Sequence, residues 1–250
     1  MSAETPNAAI PRRVLLTRAE EDCAEWAARF AQHGADAIAL PCIRAEAIST
    51  PATKAELAAA LPQSDWLVFT SRRGVEAFAA LCAGRPSPSC RIAVVGAATA
   101  GAAKAALGRV DVVGAGGTAT ALAATLVDVG DLNRHPRVLL VLAENAGNAL
   151  EQALTAAGAR CRRVDVYRTV PAPATEPRRP LSTLRVDNVV LASPSAVTGF
   201  VRTVDVDVAM SVYTIGPSTT AAARGAGLTV TAEAREPSFE GILEAMQWQS

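Results

Sequence analysis

The chain has 250 residues, half of them apolar and only 4% aromatic, with 24 basic side chains against 24 acidic ones. That length allows one large domain or two of ordinary size, with apolar material enough for a sizeable core. Zero net charge without a basic stripe excludes a nucleic-acid footprint, since Arg162-Arg163 and Arg178-Arg179 read as short solvated pairs.

Cys23, Cys42, Cys82, Cys90 and Cys161 are scattered and never form a Cys-x-x-Cys pair, which fits buried free thiols in a reducing compartment. His33 and His135 lie at no ligand spacing from a Cys or carboxylate, so no metal site is expected. Met1 to Arg13 holds no apolar signal segment, and no apolar run approaches the ~20 residues of a membrane span. The expectation is a soluble, cytoplasmic protein with no membrane contact.

Taken in order, Val14-Leu15-Leu16-Thr17 reads as a strand. Ala19 to His33 reads as a helix with Cys23, Trp26, Ala27 and Phe30 on one face, closed by Gly34. Ala37 to Leu40 is a second strand that continues past Pro41 as Cys42 to Ile48. Pro41 removes a ladder donor there, which suggests a sheet edge or a crossing between two bodies. A helix follows at Thr53 to Leu61. Further strands are expected at 66–69, 91–95, 110–113, 138–142, 161–168, 188–192, 211–215 and 228–232. Further helices are expected at 72–82, 98–107, 118–129, 146–157, 195–203, 219–225 and 238–247. Unbroken Val/Leu/Ile strands alternating with helices indicate parallel sheets covered on both faces. Pro171 to Pro177 reads as an extended linker, and ten strands exceed one ordinary open sheet, so two doubly wound domains are expected.

The halves repeat one another. Asp65 to Phe78 shares Asp, Val, Ser, Val and Phe in register with Asp187 to Phe200, 122 positions later. Val14-Leu15-Leu16, Ala19-Glu20 and Gly34 are echoed by Val138-Leu139-Leu140, Ala143-Glu144 and Gly158 at an offset of 124. Gly96 to Thr99 is echoed by Gly216 to Thr219 at an offset of 120.

Ligands of open parallel sheets bind beyond the carboxyl ends of the strands. The junctions there are Thr17-Arg18, Thr70-Ser71, Gly96-Ala97-Ala98-Thr99, Gly116-Gly117-Thr118, Ser193-Pro194-Ser195 and Gly216-Pro217-Ser218-Thr219. Each offers a hydroxyl that can cap the following helix, and each helix start offers free N–H groups suited to carboxylates or phosphates. Gly114 to Ala119 fits the G-x-G-x-x-A dinucleotide fingerprint, yet no acidic residue follows at the required second-strand position. No phosphate loop, nucleophile elbow, Cys/His couple or carboxylate pair is present. Tyr167 supports two readings, a packing residue with a wet hydroxyl or a proton donor in a cleft.

With these blocks and Tyr167-Arg168-Thr169 together, the chain resembles the uroporphyrinogen-III synthase family from Val14 to about Met246. The resemblance rests on Val14 to Arg18, Asp65 to Phe78, Val95-Gly96-x-x-Thr99-Ala100, Ser193 to Val197, Ile215 to Thr219 and Pro237-Ser238. It implies two flavodoxin-like doubly wound domains joined by a two-stranded connection, with a cleft between them. Domain 1 is 1–39 plus 171–250, domain 2 is 44–164, and 40–43 with 165–170 are the crossings. It implies a cyclising hydro-lyase that closes hydroxymethylbilane with loss of water and inversion of the last ring, through an azafulvene and a spiro intermediate. The implied partner is this linear tetrapyrrole polycarboxylate, with no cofactor, no metal and a monomeric protein. Tyr167 is implied as catalytic, assisting departure of the hydroxyl. Arg18, Thr70, Ser71, Arg73, Thr99, Ser193, Ser218 and Thr219 are implied as substrate-binding. Three departures stand out. Many bacterial relatives carry Arg-Gly-x-x-x-Arg where this chain has Ala143 to Asn148, Arg72 replaces a frequent Pro, and Ala97 replaces Pro or Asn. The alternative is a two-lobed, non-catalytic binding or sensory module.

Overall fold

Two separate, largely parallel sheets organise the residues that this computed structural model describes, 12–82, 90–115, 118–129 and 132–247. One belongs to a unit made of residues 1–44 and 170–250, the other to a unit of 45–169. In chain order the first elements are β1 (Arg13–Leu16), α1 (Glu20–Gln32), β2 (Asp36–Ala39), β3 (Ile43–Ala47), α2 (Pro51–Ala60), β4 (Trp66–Phe69), α3 (Arg72–Leu81), β5 (Arg91–Val95), α4 (Gly96–Leu107), β6 (Val112–Gly114) and α5 (Ala119–Val129). There follow β7 (Arg137–Ala143), α6 (Ala149–Ala156), β8 (Arg160–Pro171), β9 (Arg179–Pro180), β10 (Asn188–Leu191), α7 (Pro194–Thr203), β11 (Val204–Asp205), β12 (Ser211–Thr214), α8 (Pro217–Gly225), β13 (Ala232–Glu233) and α9 (Phe239–Ala245).

The first unit's sheet runs β13-β12-β10-β1-β2, and the second unit's runs β3-β8-β7-β4-β5-β6. Their registers coincide under the sequence offsets. Val14 pairs with Asn188 in one sheet as Val138 pairs with Trp66 in the other. Arg13 with Asp36 matches Arg137 with Arg160, Asn188 with Ser211 matches Trp66 with Arg91, and Tyr213 with Ala232 matches Ala93 with Val112. Thus β1, β2, β10, β12 and β13 correspond to β7, β8, β4, β5 and β6. The same five-strand layout is entered at a different strand in each unit.

Helix ends repeat as well. Gly34 and Gly158 both adopt positive φ, where glycine has no Cβ to clash. Each is followed by the same closing bond, Ala35 N–H to Phe30 and Ala159 N–H to Leu154.

Strands buried on both faces explain the continuous apolar runs. Leu67 and Phe69 enter one core with Phe78, while Trp66 and Val68 enter the opposite one with Leu122 and Leu126. In the other unit Val14 and Leu16 pack with Phe30 and Phe239, and Leu15 with Val189 and Phe200. Each fully buried side chain of this size contributes about 1.5–3 kcal/mol.

Several expectations need correction. The strand placed at 228–232 is only Ala232–Glu233, because the Leu228 amide closes α8 on Ala223 and the Thr231 hydroxyl accepts the Val212 amide. Asp111 accepts the Ile92 amide in the same way, so β6 starts at Val112 rather than at 110. The Ala37 to Ile48 segment is two strands broken at Leu40 to Cys42, as the lost donor at Pro41 requires. The helix placed at 146–157 begins only at Ala149. β8 runs on to Pro171, so the Pro-rich linker starts inside a strand, and the short β9–β11 pair was not expected. Gly116 and Gly117 of the fingerprint, and Met1 to Pro11, lie outside the described residues. Gly114 has a packing reason of its own, since a Cβ there would sit 2.9 Å from the Leu122 backbone of α5.

Candidate functional site

β7 and β8 pair residue for residue from Arg137 with Arg160 to Leu142 with Asp165. Then Ala143 pairs with Tyr167, leaving Val166 as an extra residue. Such a bulge re-aims the side chains beyond it. Val164, Val166 and Tyr167 therefore all enter the core that holds Phe69 and Phe78, and Tyr167 is only 7% exposed. The Glu144 amide donates to the Tyr167 carbonyl at 2.8 Å, fixing the backbone at the bulge.

The phenol ends on a helix cap. Ser71 is the N-cap of α3, extended at φ −154°, and its Oγ accepts the Gly74 amide at 3.0 Å. Tyr167 Oη lies 2.9 Å from the same Oγ. Gly74 leaves space there, since a Cβ would stand 3.3 Å from both Ser71 Oγ and the Val141 carbonyl. Thr70 is half-buried at the end of β4, and Arg73 is half-buried in the first turn of α3. Thr99 lies buried in the first turn of α4, on the next strand along. Thr70, Ser71, Arg73, Thr99 and Tyr167 thus share the carboxyl edge of one sheet, and Ser71 touches Tyr167 directly.

The remaining expected residues sit on the other sheet's carboxyl edge. Ser193 caps α7 through Ala196 N–H at 3.1 Å, with Pro194 at the first helical position. Ser218 is exposed and Thr219 buried in the first turn of α8. Arg18 follows β1, its guanidinium 4.4 Å over the Trp26 ring and 3.6 Å from Asp22. Its Nε is buried without a hydrogen-bond partner among the described residues.

Not every junction hydroxyl caps a helix. Thr17 Oγ1 donates instead to the Val190 carbonyl at 2.7 Å, tying β1 to β10, and α1 has no side-chain cap. Helices α4 and α8 start at Gly96 and after Gly216 without a side-chain cap, and Thr99 and Thr219 lie inside them. Thr118 does cap, accepting the Ala121 amide at 3.1 Å.

One neighbour of Tyr167 escapes the sequence reading. Arg163 is not a solvated charge: it is 21% exposed, pairs with Asp165 at 2.7 Å, and donates to the carbonyls of Ala143, Glu144 and Ala146 at 2.9–3.2 Å. It braces the loop whose Glu144 amide holds Tyr167. The only advance signal was the adjacency of Val166 and Tyr167, two apolar neighbours that break strand alternation.

No cluster of His, Cys, Asp and Glu among the described residues suits a metal ion. The cysteines are free; burial pushes Cys42 up to about 12 and Cys23 and Cys90 up to about 11, so all three are protonated at neutral pH. No helix among the described residues is long and apolar enough to cross a membrane.

Residues 24–244 match the sequence model of the family described as uroporphyrinogen-III synthase HemD (HEM4). The chain belongs to the uroporphyrinogen-III synthase family. Its fold is similar to that of the uroporphyrinogen-III synthetase from Helicobacter pylori, at 16% identity and TM-score 0.56, over 95% of this chain and 100% of the other. It is also similar to a mutant uroporphyrinogen III synthase from the extremely thermophilic bacterium Thermus thermophilus, at 19% identity and TM-score 0.52, over 94% and 97% of the two chains. Comparison with curated protein sequences finds no match. The uroporphyrinogen-III synthase family match spans elements of both units, from within α1 to within α9.

Proposed function

We propose that this chain is a uroporphyrinogen-III synthase, a cyclising hydro-lyase of the cytoplasm that converts hydroxymethylbilane into uroporphyrinogen III. The observation that carries the chemistry is the Tyr167 phenol held 2.9 Å from the cap of α3. Tyr167 gives its proton to the hydroxyl leaving the first ring, the C–O bond breaks, and water departs to leave an azafulvene. The substituted α-carbon of the terminal ring attacks it to form the spiro intermediate, and the old bond from that carbon to its bridge breaks. The bridge carbon bonds the ring's free α-carbon instead, and the proton lost from that carbon returns to Tyr167. Holding the flexible chain in the geometry of inverted closure supplies much of the acceleration.

The eight substrate carboxylates suit hydroxyls and amides at helix starts better than a net basic surface. Thr70, Arg73, Thr99, Arg18, Ser193, Ser218 and Thr219 are assigned to carboxylate binding. Their placement at the carboxyl edges of the strands supports this reading. We assign two flavodoxin-like domains, 1–39 with 171–250 and 44–164, linked through 40–43 and 165–170. The first sheet's order, read from its β2 edge, is the flavodoxin order, which supports that assignment.

A second reading, a tetrapyrrole-binding module without chemistry, is favoured by one feature: Ala143 to Asn148 lacks the two family arginines. Incubation with hydroxymethylbilane and isomer analysis of the product decides between them. The synthase yields the type III isomer; type I alone, with tight binding, establishes the module. Tyr167→Phe should lower kcat by about 10²-fold or more with an unchanged circular-dichroism spectrum. An unaltered kcat removes Tyr167 as proton donor.

A further inference from the structure

We infer that Ser71 serves the reaction through Tyr167 rather than through the substrate, donating its hydroxyl hydrogen to the phenol oxygen so that the phenol's own proton faces the departing hydroxyl. This rests on the proton-donor reading above and adds a positioning residue to it.

At 2.9 Å either oxygen suits as donor, and the role assigned to Tyr167 sets the direction. Ser71 Oγ carries one hydrogen, and among the described residues its bonds are two: the Gly74 amide, which can only donate, and Tyr167 Oη. If Tyr167 donated to Ser71, its proton would be engaged away from the substrate. With Ser71 as donor the Tyr167 hydrogen has no acceptor among the described residues and stays available to the leaving hydroxyl, as the donor reading requires. The bulge at Val166 brings the phenol to this point, and the Glu144 amide and Arg163 hold its strand there. After the proton moves to the leaving hydroxyl, the phenolate oxygen retains the Ser71 hydrogen bond. It also lies beside the N-terminus of α3, whose dipole favours a negative charge. The proton released from the terminal ring then restores the phenol, so the cycle closes without a further acid.

The second sheet supplies the control. Ser193 occupies the matching place, caps α7 in the same way, and carries no phenol. Capping alone therefore does not call for a tyrosine, and the pairing in the unit of residues 45–169 is an added feature.

The test is a double-mutant cycle read on kcat at saturating hydroxymethylbilane. Ser71→Ala should lower kcat by about 10-fold or more with KM changed by less than about 2-fold. In the Tyr167→Phe background the same change should cost nothing further, because neighbouring groups acting as one unit are not additive. Ser71→Thr, which keeps the donor and the cap, should recover most of the rate. Ser71→Asp also caps well, but a carboxylate only accepts and would draw the phenol's proton to itself. Its kcat should fall below that of Ser71→Ala while its Tm holds. The Tm loss of Ser193→Ala calibrates what a lost cap does by itself.

Equal losses from Ser71→Ala in both backgrounds, or a raised KM at constant kcat, overturn the inference while leaving Tyr167 as donor. An unaltered kcat in Tyr167→Phe overturns the donor reading and this inference with it. Should Ser71→Ala not fold, Ser71→Thr against Ser71→Asp still decides: matching rates overturn it.

Discussion

In the unit of residues 45–169, Ser71 caps α3 and receives a phenol from β8; in the other unit, Ser193 caps α7 and, among the described residues, its hydroxyl meets only the Ala196 amide. The strands beneath these caps share one register, so the difference arises at a single place. After β7, the partner strand β8 continues through a bulge for twelve residues. After β1, the partner strand β2 stops at Ala39, and the chain turns through Pro41 to lay Cys42 against α7. A duplicated scaffold thus keeps its cores and caps while one strand end is re-aimed so that a phenol meets the cap.

The largest expected effects test whether the two cores really are copies. Phe78 and Phe200 hold matching sites, both fully buried. Each truncation to Ala should cost about 3–5 kcal/mol in chemical denaturation. Phe78→Ala should be the costlier, by about 0.5–1.5 kcal/mol, because Phe78 meets Phe69 edge-on at 5.4 Å whereas Leu191 stands in the matching place. Equal costs would mean that the aromatic pair adds nothing specific.

Next comes the seam that distinguishes the units. A Cβ on Gly199 would lie 1.8 Å from the Cys42 carbonyl oxygen, whereas the matching position on α3 is already Ala77. Gly199→Ala should destabilise by about 3 kcal/mol, since backbone must move, and Ala77→Gly by about 1 kcal/mol through lost helix propensity. A tolerated Gly199→Ala would break the claim that Cys42 seats against α7.

The smallest effect concerns the strand starts. Asp65 accepts the Arg137 guanidinium and amide, which hold its carboxyl below the ordinary range. In the other unit the matching Arg13 turns to Asp36 instead. A depressed carboxyl stabilises above its ordinary pKa of about 4, and that contribution is lost as pH falls through the folded value. Asp65→Asn should therefore cost a little stability at pH 7 and flatten the acid limb of the stability profile measured by denaturation at each pH. Asp65 is exposed enough for solvent to keep the effect small.

These comparisons also show what could be read in advance. Residue-level repetition at 120, 122 and 124 positions was legible because it records strand register, and the caps at Ser71 and Ser193 followed from hydroxyls placed before helices. Thr17 looked identical as a candidate cap but serves a neighbouring strand instead, a choice made by tertiary packing. Arg163 read as a surface charge because nothing local reveals three carbonyls waiting across a strand. The bulge was hidden for the same reason: pairing partners, not composition, create it.

The register of β1 with β10 has a consequence for biosynthesis. Leu16 must wait for Val190, which leaves the ribosome 174 residues later, whereas β4 finds β5 within about one helix of chain. Close partners assemble sooner than distant ones. The sheet of the 45–169 unit can therefore condense while the polypeptide is still being made, and β1 with β2 stays unpaired on one flank until β10 has emerged. That interval is when a nascent chain of this design is most open to chaperones and to aggregation.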